Sequence, residues 1–391
     1  MNTACAPLPG QTPARAVGWR AASGRLLCAW VGLFCSVVLL AGCGTDGGSR
    51  WLDNPLHQAD QSFGFQSFND WKHAAGPPEH GLYHGPVRPT AFGFTELLPS
   101  WNPAALTGER YLVLWVRVRD RATRAWSAWL YIGQWGNAPR ADRQTAFAFG
   151  EVAIDVLELD RPADAFQLGV EAGGASGEAG LGALLNKVAV VVSGPAAQAP
   201  DRYVAALDEA DRAAVAGGAW RRDLAVPFLP QRLLPEALWS RGCSPTATSM
   251  VLRYRGIANC TPARAARSVY DAEHDLYGNW GRAVAYAGSL GLDAELARFR
   301  TWDQLKAAIA RGQPVIASIR FESGAFPSNP MGQTAGHLIV IRGLTESGDA
   351  IVNDSALPGE GDGIVYKADE LARAWLGKGG VAYLIGGPAA R

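Results

Sequence analysis

The sequence lacks an excess of charge of either sign. Its 36 lysine and arginine residues balance 36 aspartate and glutamate residues, so the formal net charge at neutral pH is zero. Nucleic acids and acidic membrane surfaces attract basic proteins, so this balance gives no indication of either partner. Only 18% of the residues are charged, which argues against long disordered polar tracts.

The sequence also lacks the residue spacings that are typical of metal and nucleotide sites. Its histidines, cysteines and acidic residues form no metal-binding pattern, and it has no glycine-rich phosphate loop. We therefore predict neither a metal nor a cofactor. The sequence has no nucleotide-binding segment and no series of membrane spans, so a role in peptide export is not supported.

Glycine, proline and tryptophan are plentiful, with 46, 24 and 14 residues. This combination favours many turns and an aromatic-rich β structure. A chain of 391 residues suggests roughly two domains of about 150 residues each.

The segment 1–42 has the pattern of an export signal. Residues 1–25 contain arginines and no acidic residue, and an apolar run follows at residues 26–40. A membrane-spanning helix needs about 20 apolar residues, so this run fits a signal peptide better. The run ends in the tetrapeptide LAGC, which resembles a bacterial lipobox with Cys43 as the lipidated residue. An ordinary signal peptide with an incidental cysteine is the alternative.

This pattern predicts an exported protein that is lipid-anchored at Cys43 to a bacterial membrane and faces the periplasm or the exterior. Residues 43–62 would then be a flexible tether. Of the six cysteines in the sequence, only Cys243 and Cys260 would remain as thiols, in a compartment where disulfides form.

Residues 63–195 have the pattern of an all-β, sandwich-like domain. In the segment 114–119, apolar residues alternate with Trp115 and two arginines, which is the period of a half-buried strand. Similar short runs recur between turn residues, as in β-sandwiches. The tryptophans here are predicted to lie in the core and at the rim, with a sugar-binding aromatic platform as the alternative.

Residues 196–222 are predicted to form a linker, and residues 223–391 a second domain of α+β type. Several helical patterns are followed there by apolar, β-branched strands. This division predicts that the second domain folds by itself, because its core and its candidate site both lie beyond residue 220.

Cys243 stands at a predicted helix entrance. Pro245 favours the first helical turn, and Gly256 can cap the end of the helix. The unsatisfied N–H groups and the dipole at a helix N-terminus stabilise a thiolate, as a cysteine nucleophile requires. A disulfide between Cys243 and Cys260 is the structural alternative.

His337 is the better of two candidate bases, because His274, the other histidine after Cys243, lies in a charged stretch that is typical of solvated surface. His337 opens a predicted strand, and the next strand ends at Asp354. Adjacent strands can place this carboxylate beside the imidazole and fix its tautomer. Asn353 should point to the opposite face. Gln231 is a candidate donor to the oxyanion.

These segments together resemble the C39-like peptidase family of bacterial cysteine peptidases. The resemblance rests on residues 243–256, 336–340 and 352–354, with smaller matches at residues 278–280 and 373–375. It covers about residues 227–387. It implies a papain-like fold and the catalytic order Gln231, Cys243, His337 and Asp354.

One part of the resemblance is weaker, and the chain differs from the family at two positions. Residues 96–102 resemble the β-domain that often precedes such peptidases, a domain that implies no known chemistry. An aromatic residue is expected where this chain has Gly242, and a proline where it has Ser355. Either difference would reshape the pocket without removing a catalytic group.

We therefore expect an exported cysteine peptidase that hydrolyses peptide bonds in a peptide or protein substrate. One alternative is an acyl transferase or a peptidoglycan amidase that uses the same residues. Another is an envelope binding module whose second domain has lost activity. The sequence does not indicate the oligomeric state.

Overall fold

The structure is a computed structural model that describes residues 58–73, 82–139, 141–174, 180–205 and 207–389. The predicted signal segment 1–42, Cys43 and the tether up to residue 57 lie outside the described residues. Among the helices that are described, none is long and apolar enough to cross a membrane.

The first region is one curled antiparallel sheet of ten strands. The strands are β1 (Gln58–Phe65), β2 (Lys72–His73), β3 (Leu82–His84), β4 (Arg88–Pro103), β5 (Tyr111–Asp120), β6 (Leu130–Gly136), β7 (Ala146–Phe147), β8 (Gly150–Ala153), β9 (Val156–Gly173) and β10 (Leu185–Pro195). The order β1-β10-β4-β9-β3-β2 forms the main path, and β5 and β8 also pair with the long strand β9. The strand prediction is confirmed, and the strands that were expected in a sandwich-like domain belong to a single sheet.

The tryptophans of the first region occupy two settings. Trp71 and Trp101 are buried in its core. Trp126 and Trp129 are half-buried, and their rings lie 5.2 and 4.7 Å from the guanidinium carbon of Arg117. This division agrees with the core-and-rim prediction. The sugar-binding platform stays a prediction.

The second region combines helices with a seven-stranded antiparallel sheet. Its elements are α1 (Glu209–Ala216), β11 (Arg222–Asp223), α2 (Cys243–Tyr254), α3 (Pro262–Val269), α4 (Trp280–Ser289), β12 (Leu292–Arg298), α5 (Trp302–Ala310), β13 (Val315–Phe321), β14 (Thr334–Leu344), β15 (Ala350–Asn353), β16 (Ile364–Tyr366), α6 (Ala368–Trp375) and β17 (Val381–Pro388). The strand order is β12-β17-β13-β14-β15-β16, and β11 pairs with β14. The α+β prediction is confirmed by helices and strands close to their expected positions. The edge strand β12 was not predicted.

Helix α2 is largely buried and packs against β14. Met250, Val251 and Leu252 are fully buried. The helix ends where Gly256 adopts a φ of +90°, a left-handed conformation that glycine adopts without strain. The predicted start and end of this helix are therefore confirmed.

Strand β4 of the first region covers the free edge of β12 in the second. The Asn102 side chain donates to the Ala294 carbonyl at 2.6 Å and accepts from the Ala294 N–H at 3.2 Å. The Ser100 hydroxyl accepts from the Leu296 N–H at 3.1 Å. These side chains satisfy backbone groups that an edge strand would otherwise leave unpaired.

Helix α4 also lies against β4, and small residues allow the close approach. Gly281, Ala285 and Gly288 share one helix face, and Ala285 belongs to the core of the first region. A Cβ on Gly288 would come within 2.5 Å of the Asn102 Cα, and one on Gly281 within 3.0 Å of the Trp101 ring. Larger side chains at these two glycines would therefore push the regions apart.

Candidate functional site

A buried histidine–carboxylate pair lies at the centre of the second sheet. His337 is in β14, and Asp354 follows the neighbouring strand β15. The His337 Nε2 atom lies 2.7 Å from the Asp354 Oδ1 atom. Both side chains are buried, and Asp354 is 0% exposed. The structure thus brings together the two residues that the sequence analysis paired across adjacent strands.

Asp354 is held by donors from three directions. Besides His337, the Tyr366 hydroxyl donates to Oδ2 at 2.7 Å and the Ala356 N–H donates to Oδ1 at 3.1 Å. Burial opposes ionisation of this carboxyl, but the charge of His337 and these hydrogen bonds outweigh it, so the pKa of Asp354 is lowered. The pKa of Tyr366 is raised, first by burial and then by the adjacent carboxylate. Asp354 is therefore a charged, oriented partner of His337.

The sequence analysis missed Tyr366. This residue ends the short strand β16, which pairs with β15. Its ring is fully buried and lies 4.9 Å from the Phe326 ring. Only the pairing of these strands brings Tyr366 near Asp354, and a single aromatic residue in a three-residue strand gives no signal of that contact.

Cys243 is the first residue of α2, at the helix end where N–H groups lack partners within the helix. Gly242 precedes it and packs tightly. A Cβ there would lie 2.1 Å from the Leu234 Cδ1 atom and 3.0 Å from the Leu238 carbonyl oxygen. An aromatic residue at this position would therefore displace Leu234 or the backbone at Leu238.

The two cysteines of the second region do not pair with each other. Cys260 is a free, buried thiol, and its sulfur lies 3.5 Å from the Ser249 hydroxyl and 3.9 Å from the Tyr286 hydroxyl. The alternative of a Cys243–Cys260 disulfide is therefore wrong. A nucleophilic role requires Cys243 to be present as a reduced thiol.

Gln231 is the buried residue of a 3₁₀ turn before α2 and is linked to the residue after Asp354. Its backbone N–H donates to the Ser355 carbonyl at 2.9 Å, and its Oε1 atom accepts from the Ser355 hydroxyl at 2.9 Å. Its Nε2 group donates to the Trp239 carbonyl. The carboxamide is thus held at both ends.

Asn353 has a structural role on the opposite side of β15 from the pair. Its amide donates to the Val226 carbonyl at 3.0 Å, and its oxygen accepts from Arg342 at 2.9 Å. These contacts agree with the prediction that Asn353 points away from the pair.

His274 belongs to a separate polar group beside α4. Its Nδ1 atom lies 2.9 Å from Asp271, which also accepts from the Asn279 amide at 3.0 Å. The hydrogen bond to Asp271 raises the pKa of His274 against the effect of burial. Among the described residues, Asp271, Glu273 and His274 form a group close enough to hold a metal ion. The Asp271 carboxylate already bonds His274 and Asn279, and these hydrogen bonds tie the loop to α4.

Two of the smaller sequence matches have structural explanations. In the match at residues 278–280, Asn279 caps α4 by accepting from the Arg282 N–H at 3.0 Å. In the match at residues 373–375, Trp375 is fully buried and donates to the Val381 carbonyl at 2.8 Å. Both residues therefore support the fold around the site.

Comparison with known proteins gave two family matches. Residues 223–383 match the family described as Peptidase_C39 like family, and residues 59–193 match the domain described as Peptidase C39 N-terminal domain. No curated protein matches the chain. The two matches support a C39-like family for this chain, and the first supports a peptidase of the cysteine type.

Proposed function

Because the matches support a cysteine-type peptidase, we propose that this protein hydrolyses peptide bonds with Cys243 as nucleophile and His337 as base. The observation that carries the proposal is the buried His337–Asp354 hydrogen bond of 2.7 Å on strand β14, against which the helix of Cys243 packs. Asp354 orients the imidazole and stabilises its positive charge. Gln231 and the backbone N–H of Cys243 donate to the oxyanion. The papain-like form of the fold is part of this proposal.

The two nitrogens of His337 have separate tasks in this mechanism. Since Nε2 is bonded to Asp354, Nδ1 is the nitrogen that takes the proton of the Cys243 thiol. The lowered pKa of Asp354 keeps the carboxylate charged, so the imidazolium that results is stabilised. The helix N-terminus at Cys243 favours the thiolate in the same step.

The reaction then follows two acyl-transfer steps. The Cys243 thiolate attacks the carbonyl carbon, and an electron pair moves to the carbonyl oxygen, where Gln231 donates a hydrogen bond. When this pair returns, the C–N bond breaks and Nδ1 of His337 gives its proton to the leaving amine. Water, deprotonated by His337, attacks the thioester. The acid product leaves, and the Cys243 sulfur is released.

We test the mechanism by hydrolysis of a pool of peptides under a thiol reductant, with folding checked by circular dichroism. Cys243→Ala should abolish turnover. His337→Ala should be nearly as damaging, because His337 both takes the thiol proton and gives a proton to the leaving amine. Asp354→Asn should be milder, since an amide still orients the ring. The Cys243→Ala, His337→Ala double variant should lose little more than either single variant.

Cys260→Ala is the matched control, because Cys260 is a buried thiol of the same region and takes no part in the mechanism. It should keep its turnover. Full activity in folded Cys243→Ala would contradict the proposal.

The same proteins separate the alternative activities. An acyl transferase would pass the acyl group to an added amine in preference to water, and an amidase would cleave peptidoglycan fragments in place of the peptides. An inactive binding module would show no labelling of Cys243 by iodoacetamide after reduction. Hydrolysed peptides together with labelled Cys243 support the peptidase.

We further propose that the protein is exported and anchored through a lipid on Cys43. The support is the sequence pattern of an apolar run followed by LAGC at residues 40–43. Metabolic labelling with a fatty-acid analogue in a bacterial host should mark the wild type and leave Cys43→Ala unmarked. Equal labelling of the two proteins would rule out this anchor.

A further inference from the structure

Two segments that are far apart in the sequence meet behind the proposed oxyanion donor. The turn that begins at Gln231 and the loop after Asp354 are joined by two hydrogen bonds between Gln231 and Ser355, one from backbone to backbone and one from side chain to side chain, both at 2.9 Å. Ser355 is 0% exposed. The hydroxyl therefore has Gln231 as its acceptor in a place that water does not reach.

We propose that Ser355 is a positioning residue that sets the orientation of the Gln231 carboxamide for oxyanion binding. This inference rests on the proposed function, since it presumes that Gln231 donates to the oxyanion. Ser355 itself does not touch the reacting atoms in this scheme. It acts through Gln231.

The physical reason lies in the near symmetry of a carboxamide. Its oxygen only accepts hydrogen bonds and its nitrogen only donates them, although the two ends have almost the same shape. The Ser355 hydroxyl donates at the oxygen end, and the Trp239 carbonyl accepts at the nitrogen end. A flipped carboxamide would lose both bonds, so only one orientation is favoured.

In this orientation the Nε2 group has one hydrogen directed to Trp239 and a second hydrogen for the oxyanion. Without the Ser355 hydroxyl, the buried Oε1 atom loses its donor and the carboxamide is held at one end only. A preorganised donor stabilises a developing charge better than a mobile one, because it does not reorganise during the reaction. Loss of the hydroxyl should therefore slow the acylation step and leave the thiolate unchanged.

The position of Ser355 in the chain strengthens this argument. It directly follows Asp354, so one short loop carries the orienting carboxylate and the hydroxyl that holds Gln231. A proline at this position, as the family resemblance leads one to expect, would have no hydroxyl to donate. The serine therefore supplies a contact that the expected residue lacks.

The test compares Ser355→Ala, Gln231→Ala and the double variant in the full, reduced chain. Three quantities are measured: kcat/KM for a cleaved peptide, the inhibition constant of a peptide aldehyde, and the rate at which iodoacetamide alkylates Cys243. The aldehyde forms a hemithioacetal whose oxygen occupies the oxyanion position. Alkylation requires the thiolate and forms no oxyanion.

Ser355→Ala should lower kcat/KM and aldehyde affinity about tenfold, less than the loss on the order of 10²–10³ expected for Gln231→Ala. Its alkylation rate should equal that of the wild type. The double variant should match Gln231→Ala, because a residue that acts only through Gln231 has no further effect once Gln231 is removed.

Ser100→Ala serves as the matched control, since it deletes a buried hydroxyl of the first region and should leave all three quantities unchanged. Ser355→Thr keeps the hydroxyl that holds the oxyanion donor. Its kcat/KM and aldehyde affinity should therefore stay within about threefold of the wild type. If Ser355→Ala does not melt cooperatively, the threonine variant decides the matter. A tenfold loss in a folded Ser355→Thr protein that keeps its alkylation rate would then overturn the inference.

Three results with Ser355→Ala would also overturn it: unchanged kcat/KM, slower alkylation of Cys243, or a double variant that loses the sum of both effects. Failure of the proposed function gives a different result. In that case the wild type itself resists alkylation at Cys243, or Cys243→Ala still cleaves the peptide.

Discussion

The two regions of the molecule use their buried polar groups differently. In the first region, several buried polar side chains point at the second region, among them Glu96, Ser100, Asn102 and Asp155. In the second region, a corresponding set surrounds the candidate site, with Gln231, His337, Asp354, Ser355 and Tyr366 in one hydrogen-bonded neighbourhood. Burying a polar group is costly unless it is paired, so these pairings indicate where each region requires a definite structure.

The contacts between the regions are of the kind found inside a folded core. Arg298 forms a buried ion pair with Glu96 at 2.6 Å. Arg300 forms a bidentate pair with Asp60 at 2.7 and 2.8 Å, and its side chain is 1% exposed. Independent domains are usually joined by exposed linkers, and few contacts cross the boundary between them. Buried ion pairs of this kind therefore indicate a shared fold. The comparison therefore indicates that the first region supports the second, in which all the proposed catalytic residues lie.

The largest effect on folding is expected when the first region is removed. A chain of residues 207–391 should lose cooperative folding, because the edge of β12 and the buried arginines Arg298 and Arg300 would lose their partners. This expectation replaces the prediction, made from the sequence alone, that the second domain folds by itself.

Thermal unfolding followed by circular dichroism measures this effect, with residues 58–391 as the control chain. The longer chain should melt in one transition and the shorter chain in none. A cooperative transition of the short chain near the temperature of the long one would show that the regions are independent.

The next largest effect is expected at the Asp60–Arg300 pair. Asp60→Ala leaves a buried guanidinium without its carboxylate and should cost about 3–5 kcal/mol in the free energy of unfolding. Burial opposes ionisation of Asp60, but Arg300 outweighs it and the pKa of Asp60 is lowered from 3.8. The stabilisation by ionised Asp60 is therefore complete above the usual pKa of this group. It is lost as the pH falls through the lowered pKa that Asp60 has in the folded protein.

Urea unfolding at neutral pH and at acid pH tests both statements. The cost of Asp60→Ala should be largest at neutral pH and should shrink as the pH falls below 3.8. Asp303→Ala is the control, since it breaks an exposed pair with Lys306 and should cost about 0–1 kcal/mol. Equal costs for the two variants would mean that the contact between the regions contributes no more than a surface pair.

The local part of this architecture could be predicted from the sequence. The helix at Cys243 was predictable because proline and glycine mark its ends. The closeness of His337 and Asp354 was predictable because His337 lies on one strand and Asp354 directly follows the next strand in the chain. The roles assigned to these residues and to Gln231 stay predictions.

The contacts between distant segments could not be predicted. Strand β12 consists largely of alanine, aspartate and glutamate, which have low strand propensity, and side chains nearly two hundred positions away satisfy its edge. Ser355 and Tyr366 look ordinary in the sequence, because their contacts with Gln231 and Asp354 depend on how distant strands and turns pack. Residues 96–102, which imply no chemistry by resemblance, supply several of the contacts between the regions.

A smaller effect on stability is expected at Tyr366, and its pH dependence should distinguish a contribution through the charge of Asp354 from ordinary packing. Tyr366→Phe removes a hydrogen bond to a charged carboxylate and should cost about 1.5–3 kcal/mol of stability near neutral pH. The pKa of Asp354 is lowered in part by this bond, so the pKa should rise in the variant. The stabilisation by ionised Asp354, which is present above its usual pKa, should then be lost at a higher pH during acidification.

Urea unfolding across the acid range measures this shift, with Tyr383→Phe as the control. Tyr383 is also a buried tyrosine, and its hydroxyl lies 3.2 Å from the neutral Ser244 hydroxyl. The cost of its removal should depend much less on pH. If both variants show the same pH dependence, Tyr366 does not act through the charge of Asp354.

The smallest effect concerns a helix of the second region that is capped by a residue of the first. The Asp155 carboxylate accepts from the N–H groups of Trp280 and Gly281, at 2.6 and 3.3 Å, at the start of α4. An acceptor at this end satisfies unpaired donors, and its negative charge complements the helix dipole. Asp155→Ala should therefore cost about 0.5–2 kcal/mol.

Asp208→Ala is the matched comparison, because Asp208 caps α1 from the adjacent position in the chain. The Asp208 carboxylate is exposed, so water can replace it at the N–H group, and its loss should cost about 0.5 kcal/mol, at the lower end of the capping range. Loss of the buried Asp155 leaves N–H groups that water does not reach. The difference between the two variants in urea unfolding measures how far the first region stabilises the second through a single carboxylate. If Asp155→Ala costs no more than Asp208→Ala, the first region stabilises the second only through the ion pairs and the edge of β12.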